Sequence, residues 1–503
     1  MEIFFASIIL FLIIEGIILI VKEFKRPQNF PPGPNWLLPF VGSSKYLKKL
    51  SQELGGQHKA FDYLSKKYNS PIFSIKLGRE LVVVVRSYEL IKEVHSREEF
   101  DGRPDNFFMR LRTMGTRLGI TCTDGRLWQE QRSFVVRQLR NVGYGKSKME
   151  EQIHVELNEI LEIIRSSKDT PIWPGETNFI ATSVINILWT FTTGAKIKRN
   201  DARLIKFLNL LQKRSKAFEI SGGYLNQMPW LRFFAPEATG YNLVKNLNSE
   251  FYKFFMEVIN EHLMTYSEDK SNEDLIYAYI KEMNEQKDKE NSTFKIDQLV
   301  MVILDIFIAG ASSTGITIDL ALMSMLIYPE IQMKVQKEID EILNEDSEML
   351  KYFDKKKMPF TEAVLLEVQR FYSIVPISGP RRILKPTTLA GYNLPKDTTV
   401  LIGLETIHKD ENHWKDPQNF RPERFLDEKN NICNTERLFP FGAGKRRCLG
   451  DQLAKSCLFT FFVEILKEFS LEKCESDLPS NDLLPGMLLS PKPYKILFRK
   501  RKN

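Results

Sequence analysis

The stretch Phe441-Gly-Ala-Gly-Lys-Arg-Arg-Cys-Leu-Gly450 decides how the rest of this 503-residue chain is read. It sets one cysteine, Cys448, in a glycine-rich turn leading into an apolar run. From Leu449 onward, apolar or small residues recur at 453, 454, 457, 458, 461, 462, 465, 466 and 469. That is the i, i+3, i+4 stripe of a buried helix. The spacing places Cys448 just ahead of a helix N-terminus, where free N–H groups and the dipole favour a thiolate. Gly442, Gly444 and Gly450 permit left-handed or closely packed backbone around the sulfur. A lone thiolate held in this way suits an axial position on haem iron.

Outward from that loop, composition bounds the class. Hydrophobic content of 43% and charged content of 27% are those of a folded globular protein. The five cysteines are odd in number and show no C-x-x-C spacing, which argues against a disulfide framework or a zinc site. A net charge of +7 is modest at this length, and no basic stripe with interleaved aromatics points to nucleic acid.

At the N-terminus, Ile3 to Val21 are apolar apart from Ser7, Glu15 and Gly16, and as a helix would span about 28 Å. Lys22, Lys25 and Arg26 follow, which puts the bulk of the chain on the cytoplasmic side of a membrane. Residues 1–26 are therefore expected to be an anchor, 27–34 (with Pro31-Pro-Gly-Pro34) a stiff hinge, and 35–503 one domain. Ile72 to Arg86 reads as a β-hairpin turning at Gly78-Arg-Glu80. Asp297 to Ile327 reads as a long, nearly all-apolar core helix ending before Pro329. The expected class is mainly α with small β-sheets.

Phe441, Gly444, Arg446, Cys448 and Gly450 match F-x-x-G-x-R-x-C-x-G, and on these residues the chain resembles the cytochrome P-450 family. Anchor, basic residues and proline segment resemble its microsomal members. The segment from Glu98 to Lys148 looks most like arthropod ones. The resemblance implies haem b bound through Cys448, with Phe441 and Arg446 beside the cofactor. It implies that Trp128 and Arg132 (W-x-x-x-R), Arg381 and Arg103 contact its propionates. Glu367-Val-Gln-Arg370 and Arg424 of Phe420-Arg-Pro-Glu-Arg-Phe425 resemble the E-x-x-R and P-E-R-F elements, a structural charge network. His408 continues the pattern and is not read as an iron ligand.

Within Ala309-Gly-Ala-Ser-Ser-Thr314 the chain departs from the family's A-G-x-(D/E)-T-T. Ser312 stands where an acid is expected and Ser313 where the first threonine is, with Thr314 following. Ser312 cannot relay a proton as a carboxylic acid does, so something else must supply it. A pocket of Phe107, Phe108, Phe307, Ala309, Gly310, Val375 and Ile377 would receive a greasy substrate.

The implied reaction is monooxygenation: one oxygen atom of O2 enters a lipophilic substrate, possibilities including methyl farnesoate and xenobiotics. Electrons would come from NADPH through a cytochrome P-450 reductase, with cytochrome b5 as a further donor. Arg126, Arg132, Arg137, Arg140, Lys445 and Arg447 form the expected docking face, on a protein of the endoplasmic reticulum membrane. Two alternatives stay open: a reductase-independent haem-thiolate isomerase or dehydratase acting on a peroxide, and a non-enzymatic haem sensor or electron carrier.

Overall fold

Ile296–Ile327 forms one helix of 32 residues, beginning a single residue before the span read from the sequence. It is long and apolar enough to cross a membrane, yet 56% of its most apolar window is buried inside the protein. Other helices take up its apolar sides, so it is the core strut of the domain.

The computed structural model describes residues 25–35, 41–217, 228–343 and 352–501, with isolated positions 4, 8, 10, 11, 14, 15, 223 and 225. The expected anchor at 1–26 lies almost wholly outside the described residues. The helices that shape the site, in chain order, are α1 (Phe107–Arg112), α2 (Gly125–Asn141), α3 (Phe179–Thr193) and α4 (Ala202–Ala217). They are followed by α5 (Tyr241–Thr265), α6 (Ile296–Ile327), α7 (Pro359–Tyr372) and α8 (Asp451–Glu468). Helices α3, α7 and α8 all pack on α6. Gly310 and Gly315 make the α3 contact close, since a Cβ at Gly310 would collide with the Leu188 side chain and one at Gly315 would crowd Ala181.

A four-stranded sheet stands beside the helical core: β1 (Ile72–Leu77), β2 (Glu80–Val85), β3 (Arg381–Arg382) and β4 (Thr399–Ile402), in the order β1-β2-β4-β3. The hairpin β1–β2 turns on Gly78 and Arg79, with Leu77 opposite Glu80, one residue tighter than the sequence suggests. Gly78 takes φ +62°, which the two-residue turn requires. β2 and β4 run parallel, Val82 facing Thr399.

The segment after Pro27 is bound to this sheet. The Ser74 amide donates to the Pro32 carbonyl at 2.7 Å, its hydroxyl to Pro31, and Arg26 to the carbonyls of Gly33 and Pro34. Phe30 lies in the sheet's apolar core. The proline run is thus docked and stiff, held by the domain it leads into.

Candidate functional site

The cysteine loop is built as its glycines demand. Gly442 and Gly444 take φ of +65° and +69°, where a β-carbon is penalised. At Gly444 a Cβ would also collide with the His95 carbonyl oxygen. Gly450 has φ −97°, an ordinary value, so its expected conformational role is corrected: only Tyr144 lies near it. The loop closes where the Cys448 amide donates to the Phe441 carbonyl at 2.9 Å, and α8 starts three residues after the cysteine.

Cys448 is accessible, though closely surrounded by protein. Burial pushes its thiol up, and the Gly450 amide and the Arg132 charge pull it only partly back. The helix end alone therefore does not preform a thiolate. A bound cationic metal would supply the remaining drive to deprotonate it.

Behind the loop lies a closed polar network. Glu367 and Arg370 are both fully buried and joined by two bonds, Nε to Oε2 at 2.7 Å and Nη2 to Oε1 at 2.8 Å. Arg424 Nε donates to Glu367 Oε1 at 3.1 Å, and its Nη1 to the Trp414 carbonyl at 2.8 Å. Arg370 Nη1 donates to the His408 carbonyl at 2.7 Å and Nη2 to that of Pro417 at 3.1 Å. The His408 ring accepts the Phe439 amide at Nε2 (3.0 Å), so its proton sits on Nδ1, toward Ser373 Oγ at 2.7 Å. Burial and the Arg370 charge push this imidazole down to about 3. His408 thus ties α7 to the loop ahead of the cysteine, a role that one sequence position does not reveal.

Across the loop, the accounting of donors and acceptors is different. Arg103 donates through Nη1 to the carbonyls of Gly379 (3.0 Å) and Pro380 (2.6 Å). Arg446 donates Nε and Nη2 to the Asp101 carbonyl at 3.0 and 2.7 Å. Its guanidinium lies 3.9 Å from the Trp128 ring centroid. Arg381 alone reaches a carboxylate, Asp101 Oδ1, at 3.1 Å. Burial and the Arg103 charge push Arg381 down to about 10. Burial with the charges of Arg103 and Arg381 pushes Arg446 down to about 9. Arg103 Nε and Arg446 Nη1 are buried with no hydrogen-bond partner among the described residues.

The neighbouring Asp124 forms no side-chain ion pair with these three arginines, although its charge acts on Arg103 and Arg446. Burial opposes its ionisation, but bonds from Arg117, the Arg103 amide and Arg382 hold its carboxyl down to about 2. Among the described residues the three guanidiniums make one ion pair, Arg381–Asp101, with donors left over. A cofactor carrying two carboxylates beside its ring fits this cluster, and haem is such a group.

Not every expected contact is formed. Arg132 turns to the cysteine loop, Nη2 donating to the Arg447 carbonyl at 2.6 Å. Phe307, expected in the pocket, is instead fully buried in an aromatic core with Trp189, Phe207 and Phe255. Gly310 faces Leu188, as above. Ile377 is buried in the sheet's core and bridges to Gly403. Phe108 packs with Leu111, Leu225 and Val244, and Phe107 stacks on Tyr241. Val375 is half-buried against the sheet. Thr314 is buried and, at 100° per residue, faces away from Ala309 and Ser312.

Ala309 and Ser312 are exposed in the middle of this otherwise buried helix, with Asp305, Ser313 and Ile316 half-exposed beside them. Positions 305, 309, 312, 313 and 316 share one helical face. That face leaves the middle of α6 accessible.

A thiol loop, a cationic cradle and an open core helix define a haem-thiolate oxygenase site. The family model described as Cytochrome P450 matches residues 31–498. The chain belongs to the cytochrome P-450 family of haem-iron monooxygenases, which use O2 and reducing equivalents. It is 46% identical to probable cytochrome P450 305a1 of Drosophila melanogaster, over 99% of both chains. It is 35% identical to farnesoate epoxidase of Bombyx mori over 96% of both. Against cytochrome P450 2J2 of Homo sapiens it is 33% identical, over 94% of this chain and 91% of that one.

Proposed function

We propose that this protein is a haem b monooxygenase that epoxidises or hydroxylates a farnesoate-like terpenoid. The observation that carries this reading is the 35% identity, along nearly the whole chain, to a protein named farnesoate epoxidase. The open face of α6, bearing Ala309, Ser312 and Ile316, offers small and apolar surface to such a chain.

In this reading Cys448 would bind the haem iron, and Arg103 and Arg446, through their unmet donors, would hold the propionates with Arg381 beside them. Bound haem supplies the activation of O2. The residues of α6 shape the space for the substrate, and Ser313 Oγ, donating to the Ala309 carbonyl at 3.0 Å, keeps its lone pairs free for water.

Electrons come from NADPH through a membrane flavoprotein reductase, with cytochrome b5 as a second donor. A surface groove of about 470 Å³ supports that docking, lined by Trp128, Arg132, Arg137, Arg140 and Lys445. Arg132 links it to the cysteine loop. Residues 1–26 hold the enzyme on the endoplasmic reticulum, the domain facing the cytoplasm.

The test is reconstitution with a reductase and NADPH on methyl farnesoate and on unrelated lipophiles. An oxygenated farnesoid product is the expected result. Turnover of the unrelated lipophiles with none of the farnesoid overturns the substrate reading. Thiolate-type spectra with product only from added peroxides would favour the reductase-independent alternative.

A further inference from the structure

Monooxygenation consumes two protons with its two electrons, and this chain has no acid at Ser312. Asp305 lies two turns earlier on the same open face. Its Oδ2 accepts the amides of Ile120 (2.7 Å) and Thr121 (2.9 Å), pinning the loop before α2 to the core helix. Among the described residues the only further bond to this carboxyl comes from the Thr121 side chain. Between Asp305 and Ser312 the face carries only the methyl of Ala309, which is exposed. Seven residues of helix separate the two groups by about 10 Å, a gap that about three waters bridge.

We propose that Asp305 is the positioning acid of this enzyme, supplying protons through water over Ala309 to Ser313 in place of the acid missing at 312. The proposal rests on the monooxygenase reading, not on the substrate. With Oδ2 occupied by two amides, the proton resides on Oδ1. It passes along the waters to Ser313 Oγ, whose hydroxyl turns from the Ala309 carbonyl and releases its own proton over the open face of α6. The Asp305 carboxylate then regains a proton from solvent past the exposed Thr121.

Electrostatics agree. Burial pushes the Asp305 carboxyl up, while the Thr121 and Ile120 amides and the Arg112 charge offset it in part. Arg112 of α1, Arg214 of α4 and Cys122 of the loop are the titratable groups within its electrostatic reach. A raised pKa leaves more of the carboxyl in the protonated form that can donate.

Asp305→Asn tests this cleanly, because its amide oxygen still accepts both backbone amides and only the proton is lost. The wild-type holoenzyme should show an infrared carboxylic-acid band that D305N lacks. With any substrate that turns over, D305N should divert NADPH electrons to free hydrogen peroxide about tenfold more than wild type. Adding Ser312→Glu to D305N should restore product, since it returns an acid to the family's position. Wild-type coupling in D305N, or no carboxyl band assignable to Asp305, overturns the proposal. So does a D305N/S312E protein that has full haem but stays uncoupled, which would make Asp305 a loop anchor only. Absence of product from wild type on every substrate would defeat the monooxygenase reading instead, leaving the infrared result to stand by itself.

Discussion

Two arginine clusters flank the cysteine loop, and they differ in what their partners are. Around Glu367, Arg370 and Arg424 two carboxylates, Glu367 and Asp416, meet the two cations, and the remaining guanidinium bonds end on carbonyl oxygens. Around Arg103, Arg381 and Arg446 there is one ion pair for three cations, and two buried N–H groups have no partner among the described residues. A complete buried network fixes shape, and an incomplete one is costly until something completes it. The same residue type therefore reads as a clamp in one place and as a ligand cradle in the other.

The largest effect that separates them is expected from Arg370→Ala. It removes both Arg370 bonds from the buried Glu367 carboxylate and leaves it Arg424 as its ion-pair partner, at a cost of about 3 kcal/mol. Urea unfolding should show that loss even in preparations without haem, and a full-haem protein of wild-type stability would end the clamp reading. Acid comes next. His408 is held at about 3 against the ordinary 6.5, so the unfolded chain binds the extra proton between those values. Stability contributed by its neutral form is complete above about pH 6.5 and falls as pH drops toward 3. His408→Gln should flatten that part of the stability–pH curve.

Gly444→Ala should cost about 1–3 kcal/mol through its positive φ and the collision with His95, and more in haem retention than in helix content. Thermal melts followed by circular dichroism and by haem absorbance would separate the two. The smallest stability change belongs to Ala309→Leu, on an exposed site, within about 0.5 kcal/mol. Turnover of bulky substrates should nonetheless drop, because the added side chain enters the open face of α6.

Local spacing carried what the sequence made legible. The turn at Gly442 and Gly444, the hairpin, the long helix and the i, i+3 pair Glu367–Arg370 all sit where short-range pattern puts them. What escaped depends on partners distant in sequence. Phe307 is apolar on a site helix, but whether it faces a cavity or Trp189 is decided by how α3 packs. Gly310 reads as room for a ligand until Leu188 fills it. Asp101 contributes its backbone carbonyl to Arg446, which no side-chain pattern announces. Asp305 did leave a signal: it is the single acid in the apolar run Ile303-Leu-Asp-Ile-Phe307.

The proposed role of the Arg103–Arg381–Arg446 cluster is to hold the carboxylates of the cofactor. Arg446→Gln, which removes one of three mutually repelling cations, tests it most directly through paired melting temperatures with and without haem. The account predicts that the haem-free variant melts at or above wild type while the loaded variant melts lower and loses haem about tenfold faster to a scavenger. A variant that is destabilised equally in both states, with haem loss unchanged, would show that the cluster is ordinary structure.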